Sequence, residues 1–245
     1  MQRRKNILKR KNIFWIICLM SMSLQGMIVP VEEMLTLSRE VTDYSDPRLL
    51  QERVEILSNL PKIKTKRLLL RKLEQNNAQA LLSIASDSKL FQFGLVILQH
   101  QTLEKIRKSI QTVFEQPAEV RAPFWVIEAL RDQEIVGLIY YYGGNHEVDH
   151  RAFLEYFVKP AYWNQGIATE AAQAVIDFAF NNLKLHRIEA SVHPDNKASI
   201  RVLEKLGMQQ EGYAKDYMFC NGKFEDRKLY ALVEGTYRKN VMLFK

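Results

Sequence analysis

Two places in this chain hold residue types at spacings that could do chemistry. The first is Tyr162-Trp163-Asn164-Gln165-Gly166-Ile167-Ala168-Thr169-Glu170-Ala171. Gly166 follows a short apolar run, Phe153 to Val158, and precedes a segment whose apolar residues Ala168, Ala172, Ile176, Ala179 and Leu183 recur at helical spacing. A helix entered through small residues presents unpaired backbone N–H groups and the positive end of its dipole. That arrangement binds phosphate oxygens without a side chain, although a glycine is also what an ordinary strand-to-helix turn requires. The second place is Glu155, a carboxylate inside the apolar run. Such a group is costly unless exposed or paired. It reads either as an acid–base group, acting directly or through a water, or as an outward-facing residue alternating with Leu154, Tyr156 and Val158.

The elements that must position these groups follow from periodicity and punctuation. Phe153–Val158 reads as a strand, the alanine-rich segment after Gly166 as a helix, and Arg187–Val192 as another strand. Asn196 is a good N-cap for a further helix, with Ser199 in its first turn and Gly207 as its stop. Strands Tyr213–Cys220 and Lys223–Val233 flank Asn221-Gly222, a hairpin signal. Upstream, Leu49, Leu50, Val54, Leu57 and Leu60 mark a helix between Asp46-Pro47 and Pro61. Residues 66–73 read as a strand, with helices near 76–86 and 102–115, the latter capped by Thr102. Two strands follow at 123–129 and 135–142 across an Asp132-Gln133-Glu134 turn, and then a loop holding His146 and His150. With no repeats or low-complexity tract, one α/β domain with a mixed sheet accounts for the pattern.

The pairing of YWNQGIATEA with Asn196-Lys197-Ala198-Ser199, Glu204-Lys205-Leu206-Gly207-Met208 and Glu211-Gly212 resembles the GNAT superfamily of N-acyltransferases, most closely its RimJ/RimL-type branch. Thr65 to Arg71 also match the T-x-R-L-x-L-R opening strand of that branch, and the resemblance runs from about Pro61 to Val233. It implies an α/β (α+β) fold with a mostly antiparallel central sheet flanked by helices, and acetyl-CoA as cosubstrate. By the same resemblance, backbone N–H groups from Asn164, Gln165, Gly166, Ile167, Ala168 and Thr169 would hold the CoA pyrophosphate. Many members carry Arg or Gln where this chain has Trp163, so the cradle leans on backbone more than on a cation. Strand 153–158 would splay to admit the pantetheine arm, with backbone groups of Tyr156, Phe157 and Val158 along it. Asn196 would contact the cofactor, and Ser199 would sit near the sulfur. Ser199 would replace the tyrosine proton donor of other members, whose position is Leu203. Glu155 would be the base or amine anchor, making Ser199 and Glu155 the catalytic pair. Tyr213, Tyr217 and Asp226 could face the acceptor or simply pack.

Composition sets the remaining bounds. The formal charge of +7 includes six positive charges within residues 1–12, where no acid lies, leaving +1 for the rest; direct nucleic-acid binding is not expected. Cys18 and Cys220 make no disulfide scaffold and have no metal-ligand spacing, so no metal is expected. Residues 1–33 form a basic, then apolar leader resembling a secretory signal, an anchor or a misassigned start. The expected organisation is that leader, a helical extension at 34–60, the catalytic domain at 61–235 and a tail at 236–245. A cytoplasmic enzyme, monomeric or dimeric, is expected, with membrane contact through residues 1–31 as the alternative. The acceptor is expected to be a protein N-terminus, such as that of a ribosomal protein. A small-molecule amine, or a non-catalytic acyl-CoA sensor, stands as the alternative.

Overall fold

The computed structural model describes residues 44, 46, 48–93, 102–116, 122–142, 150–220 and 222–243. The leader, His146 and Asn221 lie outside the described residues. In chain order the elements are α1 (Arg48–Ser58), β1 (Ile63–Lys64), β2 (Leu68–Lys72), α2 (Ala78–Ala85), α3 (Leu103–Glu115), β3 (Phe124–Ala129), β4 (Ile135–Tyr142), β5 (Arg151–Val158), α4 (Ile167–Asn181), β6 (Arg187–Val192), α5 (Lys197–Lys205), β7 (Gln209–Cys220), β8 (Lys223–Val233) and α6 (Glu234–Leu243).

Local chemistry sets the helix ends where the sequence signals them. The Thr102 hydroxyl accepts from Lys105 N–H at 3.2 Å to open α3. Gly207, at φ 78°, closes α5 with the two bonds of a Schellman motif, Met208 N–H to Leu203 C=O and Gly207 N–H to Glu204 C=O.

The eight strands form one sheet in the order β1-β2-β3-β4-β5-β6-β8-β7. Its pairs are antiparallel except β5 with β6. A parallel pair needs a crossover, and α4 supplies it. That pair is also the sheet's interruption. It holds only at Arg151↔Arg187, Ala152↔Ile188 and Phe153↔Glu189. Beyond Phe153, β5 stays with β4 as far as Val158↔Gly137, while β6 stays with β8. The sheet therefore opens into a notch between β5 and β6, as the strand at 153–158 was expected to provide. Close contact on the other side of β5 is enforced at Gly137, where a Cβ would stand 2.4 Å from the Phe157 carbonyl oxygen.

Side-chain alternation sends the strands into two cores. Trp125, Ile139, Tyr141, Leu154 and Val158 pack with α4 and α5 on one face. Val126, Leu138 and Phe157 pack with α2 and α3 on the other. Leu57 of α1 joins the α4 core, and the buried Arg53 guanidinium donates to the Leu183 and Lys184 carbonyls just past the end of α4. The segment after 235, expected as a tail, is instead helical through Leu243. The reason is Tyr237, which stacks on Phe180 at 4.6 Å and donates its hydroxyl to Asp177 at 2.9 Å. Among the described residues no helix is long and apolar enough to cross a membrane.

Candidate functional site

Three structural pieces meet at the notch: the entry to α4, the free edge of β5, and the first turn of α5. At the entry, Asn164 (φ 58°) and Gly166 (φ 77°) are both left-handed, which turns the chain sharply into the helix. The first intrahelical bond runs from Glu170 N–H to Gly166 C=O at 3.0 Å, and no side chain caps the helix. The N–H groups of Ile167, Ala168 and Thr169 thus have no intrahelical acceptor, which is the electrostatic requirement for an anion site. Trp163 donates its indole N–H to the Val158 carbonyl at 2.7 Å and ties the turn to the strand end.

A cation reaches this turn from elsewhere. Arg67, 98 residues before Gln165, donates from Nη1 to the Gln165 carbonyl at 2.8 Å and from Nε to Glu170 Oε2 at 2.7 Å. Its Nη2 lies 3.4 Å from where a Gly166 Cβ would be. Glu170 also accepts from the Thr65 hydroxyl and the Arg67 amide. Burial alone would raise the Glu170 carboxyl, but these bonds together hold it below its ordinary value. The sequence showed the match of Thr65 and Arg67 to an opening-strand motif, but not that the strand starts beside α4 and brings Arg67 to this turn.

The phase of β5 follows from one bond. Lys159 N–H donates to the Val136 carbonyl at 2.7 Å, and the β4–β5 register runs without a bulge. Backbone alternation then turns the amides of Glu155 and Phe157 towards β4, and those of Leu154, Tyr156 and Val158 towards the notch. Tyr156 and Val158 stand where an arm in the notch would need donors. Phe157 does not, because its amide faces β4, which corrects its expected role.

The side chains divide oppositely. Glu155 lies on the α2–α3 face beside its cross-strand partner Tyr140, whose hydroxyl donates to Oε2 at 2.7 Å. Tyr140 stacks on Phe124 at 4.4 Å, and Tyr142 stacks on Phe153 at 5.5 Å, giving the carboxylate an aromatic surround. Burial pushes the Glu155 carboxyl above its ordinary value, and the Tyr140 bond opposes that push. Tyr156 lies on the α4–α5 face, its hydroxyl 2.9 Å from Ser199 Oγ. Burial pushes that phenol up to about 12, with the Ser199 bond opposing. Glu155 and Ser199 therefore occupy opposite faces of one strand, with the notch between them. The Tyr156 hydroxyl was missed from sequence, where only its backbone was considered.

The other candidates are more structural. Asn196 Oδ1 accepts from Ser199 N–H at 3.0 Å, so it caps α5 and sets the Ser199 position. His193 Nδ1 accepts from Asp195 N–H at 3.1 Å within a turn. Asp226 accepts from the Tyr213 hydroxyl and the Asp216 amide, pinning a bulge in β7 that leaves Tyr217 half exposed. Among the described residues, no cluster of three or more His, Cys, Asp or Glu could hold a metal ion.

The site can thus hold an anion at the α4 entry and pair an extended chain along β5, with a carboxylate on one face and hydroxyls on the other. Residues 67–209 match the family model described as the acetyltransferase (GNAT) domain. A probable N-acetyltransferase, YjcK of Bacillus subtilis, is 34% identical over 174 residues, covering 70% of this chain and 96% of that protein. The ribosomal protein uS5-alanine N-acetyltransferase of Escherichia coli is 34% identical over 101 residues, covering 41% of this chain and 52% of that protein. A crystal structure of a GNAT-family acetyltransferase from Bacillus anthracis superposes with a TM-score of 0.62 at 30% identity, over 71% of this chain and 99% of that one.

Proposed function

The chain belongs to the GNAT acetyltransferase family and is an acetyl-CoA:amine N-acetyltransferase; from that premise we propose that its acceptor is the α-amino group of a protein N-terminus. The observation that carries the site reading is the opening of the sheet after Phe153, which sets Glu155 and the Tyr156–Ser199 pair on opposite faces of β5 at consecutive strand positions. The named activity of the Escherichia coli relative supports the acceptor class.

In this reading acetyl-CoA lies on the α4–α5 side, with its pyrophosphate against the amides of Ile167, Ala168 and Thr169. Gly166 and Asn164 shape the turn that frees those amides, and Arg67 braces it through Gln165. The arm follows β5, where the Tyr156 and Val158 amides face it. The acceptor approaches from the α2–α3 side as an ammonium and gives one proton to Glu155. Its nitrogen lone pair then attacks the thioester carbonyl carbon. As the C–S bond breaks, the sulfur keeps the electron pair and takes a proton from the Ser199 hydroxyl, which Tyr156 replaces; the acetylated nitrogen gives up its second proton, which passes through solvent to restore the Tyr156 hydroxyl. The products are the N-acetyl amine, CoA thiol and one proton, which leaves through Glu155. Much of the rate comes from holding the two reactants in line.

The test is CoA thiol release by the full chain with acetyl-CoA and either an alanine-initiated peptide or spermidine, with products identified by mass. Acetylation of the peptide α-amine in preference to spermidine is expected. Turnover of spermidine alone would overturn the acceptor class and leave the site reading standing.

A further inference from the structure

Glu155 is a half-buried carboxylate with a polar contact on one oxygen only: Oε2 accepts from Tyr140, and Oε1 accepts from no described residue. No described cation pairs with it, whereas Glu128, Glu170 and Glu189 are each paired with an arginine. An unpaired carboxylate in such surroundings is costly, and one well-aimed hydrogen bond decides both its orientation and its charge. Tyr140 is built to be that donor. It is the cross-strand partner of Glu155, and its ring is clamped by stacking on Phe124 at 4.4 Å.

We propose that Tyr140 is a positioning residue for acetyl transfer, fixing Glu155 through Oε2 so that Oε1 is the oxygen that receives the acceptor ammonium. This rests on the reading of Glu155 as the base. Among the described residues, the titratable groups facing Glu155 are phenols: Tyr140, then Tyr142, with Tyr217 behind it. Burial keeps the Tyr140 phenol protonated far beyond neutral pH, and burial likewise pushes Tyr142 up to about 12, so both stay neutral while Glu155 titrates. The α2 and α3 residues packed on that face are apolar, Leu81, Ile84, Ile106 and Ile110 among them. The hydrogen bond favours the ionised carboxyl, so its removal raises the pH at which Glu155 gives up its proton.

The experiment compares the full-chain protein with Tyr140→Phe. Carboxyl infrared titration, with Glu155→Gln subtracted to assign the band, reads the Glu155 midpoint without any acceptor. Loss of a hydrogen bond to a charged group should move that midpoint up by about one to two pH units. The acidic limb of kcat/KM for an alanine-initiated peptide should move by the same amount, with the KM for acetyl-CoA unchanged. Phe124→Leu, which loosens the stack and leaves the hydroxyl, should move each midpoint by well under the Tyr140→Phe shift, and an equal shift would assign the effect to packing rather than to the hydroxyl. An unmoved infrared midpoint in Tyr140→Phe would overturn the proposal. A moved midpoint with an unmoved rate profile would leave Tyr140 as the partner of Glu155 and remove Glu155 as the base.

Discussion

Replacing Glu155 with Gln separates the base from the scaffold, because Gln keeps the volume and an acceptor oxygen for Tyr140. The magnitude depends on how much neutral amine water alone supplies. An α-amino group with a pKa of roughly 7.7–8.0 is about one-tenth to one-sixth neutral at pH 7. A positioned base contributes about 100- to 10,000-fold, and with neutral amine already at that fraction the lower end applies. Glu155→Gln should therefore lower kcat/KM for an alanine-initiated peptide about 100-fold at pH 7, or about 2.7 kcal/mol of barrier. The deficit should narrow to about tenfold by pH 9, where most of the α-amine is neutral without help. A lysine-type amine, neutral at only about four parts in 10,000 at pH 7 and about four in 100 at pH 9, would show a deficit still falling at pH 9, where that of the α-amine has levelled off.

The same substitution should stabilise the fold at neutral pH. Burial raises the Glu155 carboxyl above its ordinary 4.5, so the folded state favours the protonated group. Its contribution to stability is present below the ordinary value and is lost as pH rises through the raised one. Glu155→Gln should match the wild type in melting temperature at low pH and exceed it at neutral pH. The assay pairs thiol release from pH 6 to 9.5 with thermal unfolding from pH 4 to 9.5. A wild-type rate at pH 7 in Glu155→Gln would refute the base assignment. A constant deficit with the peptide would refute the α-amine argument.

Three further outcomes follow from the same geometry. Ser199→Ala removes the hydroxyl 2.9 Å from Tyr156 and should lower kcat at least tenfold with the acetyl-CoA KM little changed; an unchanged kcat would exclude it from thiolate protonation. Gly166→Val puts a branched side chain at φ 77° and should cost about 1–2 kcal/mol. That is a fall in melting temperature of about 2–8 °C for a domain of this size, together with weaker acetyl-CoA binding by calorimetry. Arg67→Ala releases Gln165 and Glu170 from a half-exposed ion pair, so its cost in stability is small, about 0–1 kcal/mol. Its acetyl-CoA KM should nonetheless rise several-fold, and an unchanged KM would show that the α4 entry holds its shape without that brace.

What was legible in the sequence was what is local. Gly166, Asn196, Gly207 and Thr102 act within a few residues of themselves, through backbone conformation or capping, and each is found where the sequence puts it. The notch was anticipated only through a family resemblance, since apolar runs do not reveal that β5 and β6 pair for three residues and then part. Arg67 and Tyr140 were missed because their partners come from distant strands, so only the β2 position and the β4–β5 register bring them to the site. The Phe157 amide was misassigned for a subtler reason. Alternation says that neighbouring residues point oppositely, but only the bond from Lys159 to Val136 says which way.

The most direct measurement is thermal unfolding of the full chain with and without acetyl-CoA, repeated in Gly166→Val. A ligand at 100 times its Kd adds about 2.7 kcal/mol of stability, or about 5–11 °C here. The account predicts that shift in the wild type and a much smaller one in the variant. An equal shift in both would move the cofactor away from the α4 entry, and no shift in a folded wild type would contradict acetyl-CoA binding itself.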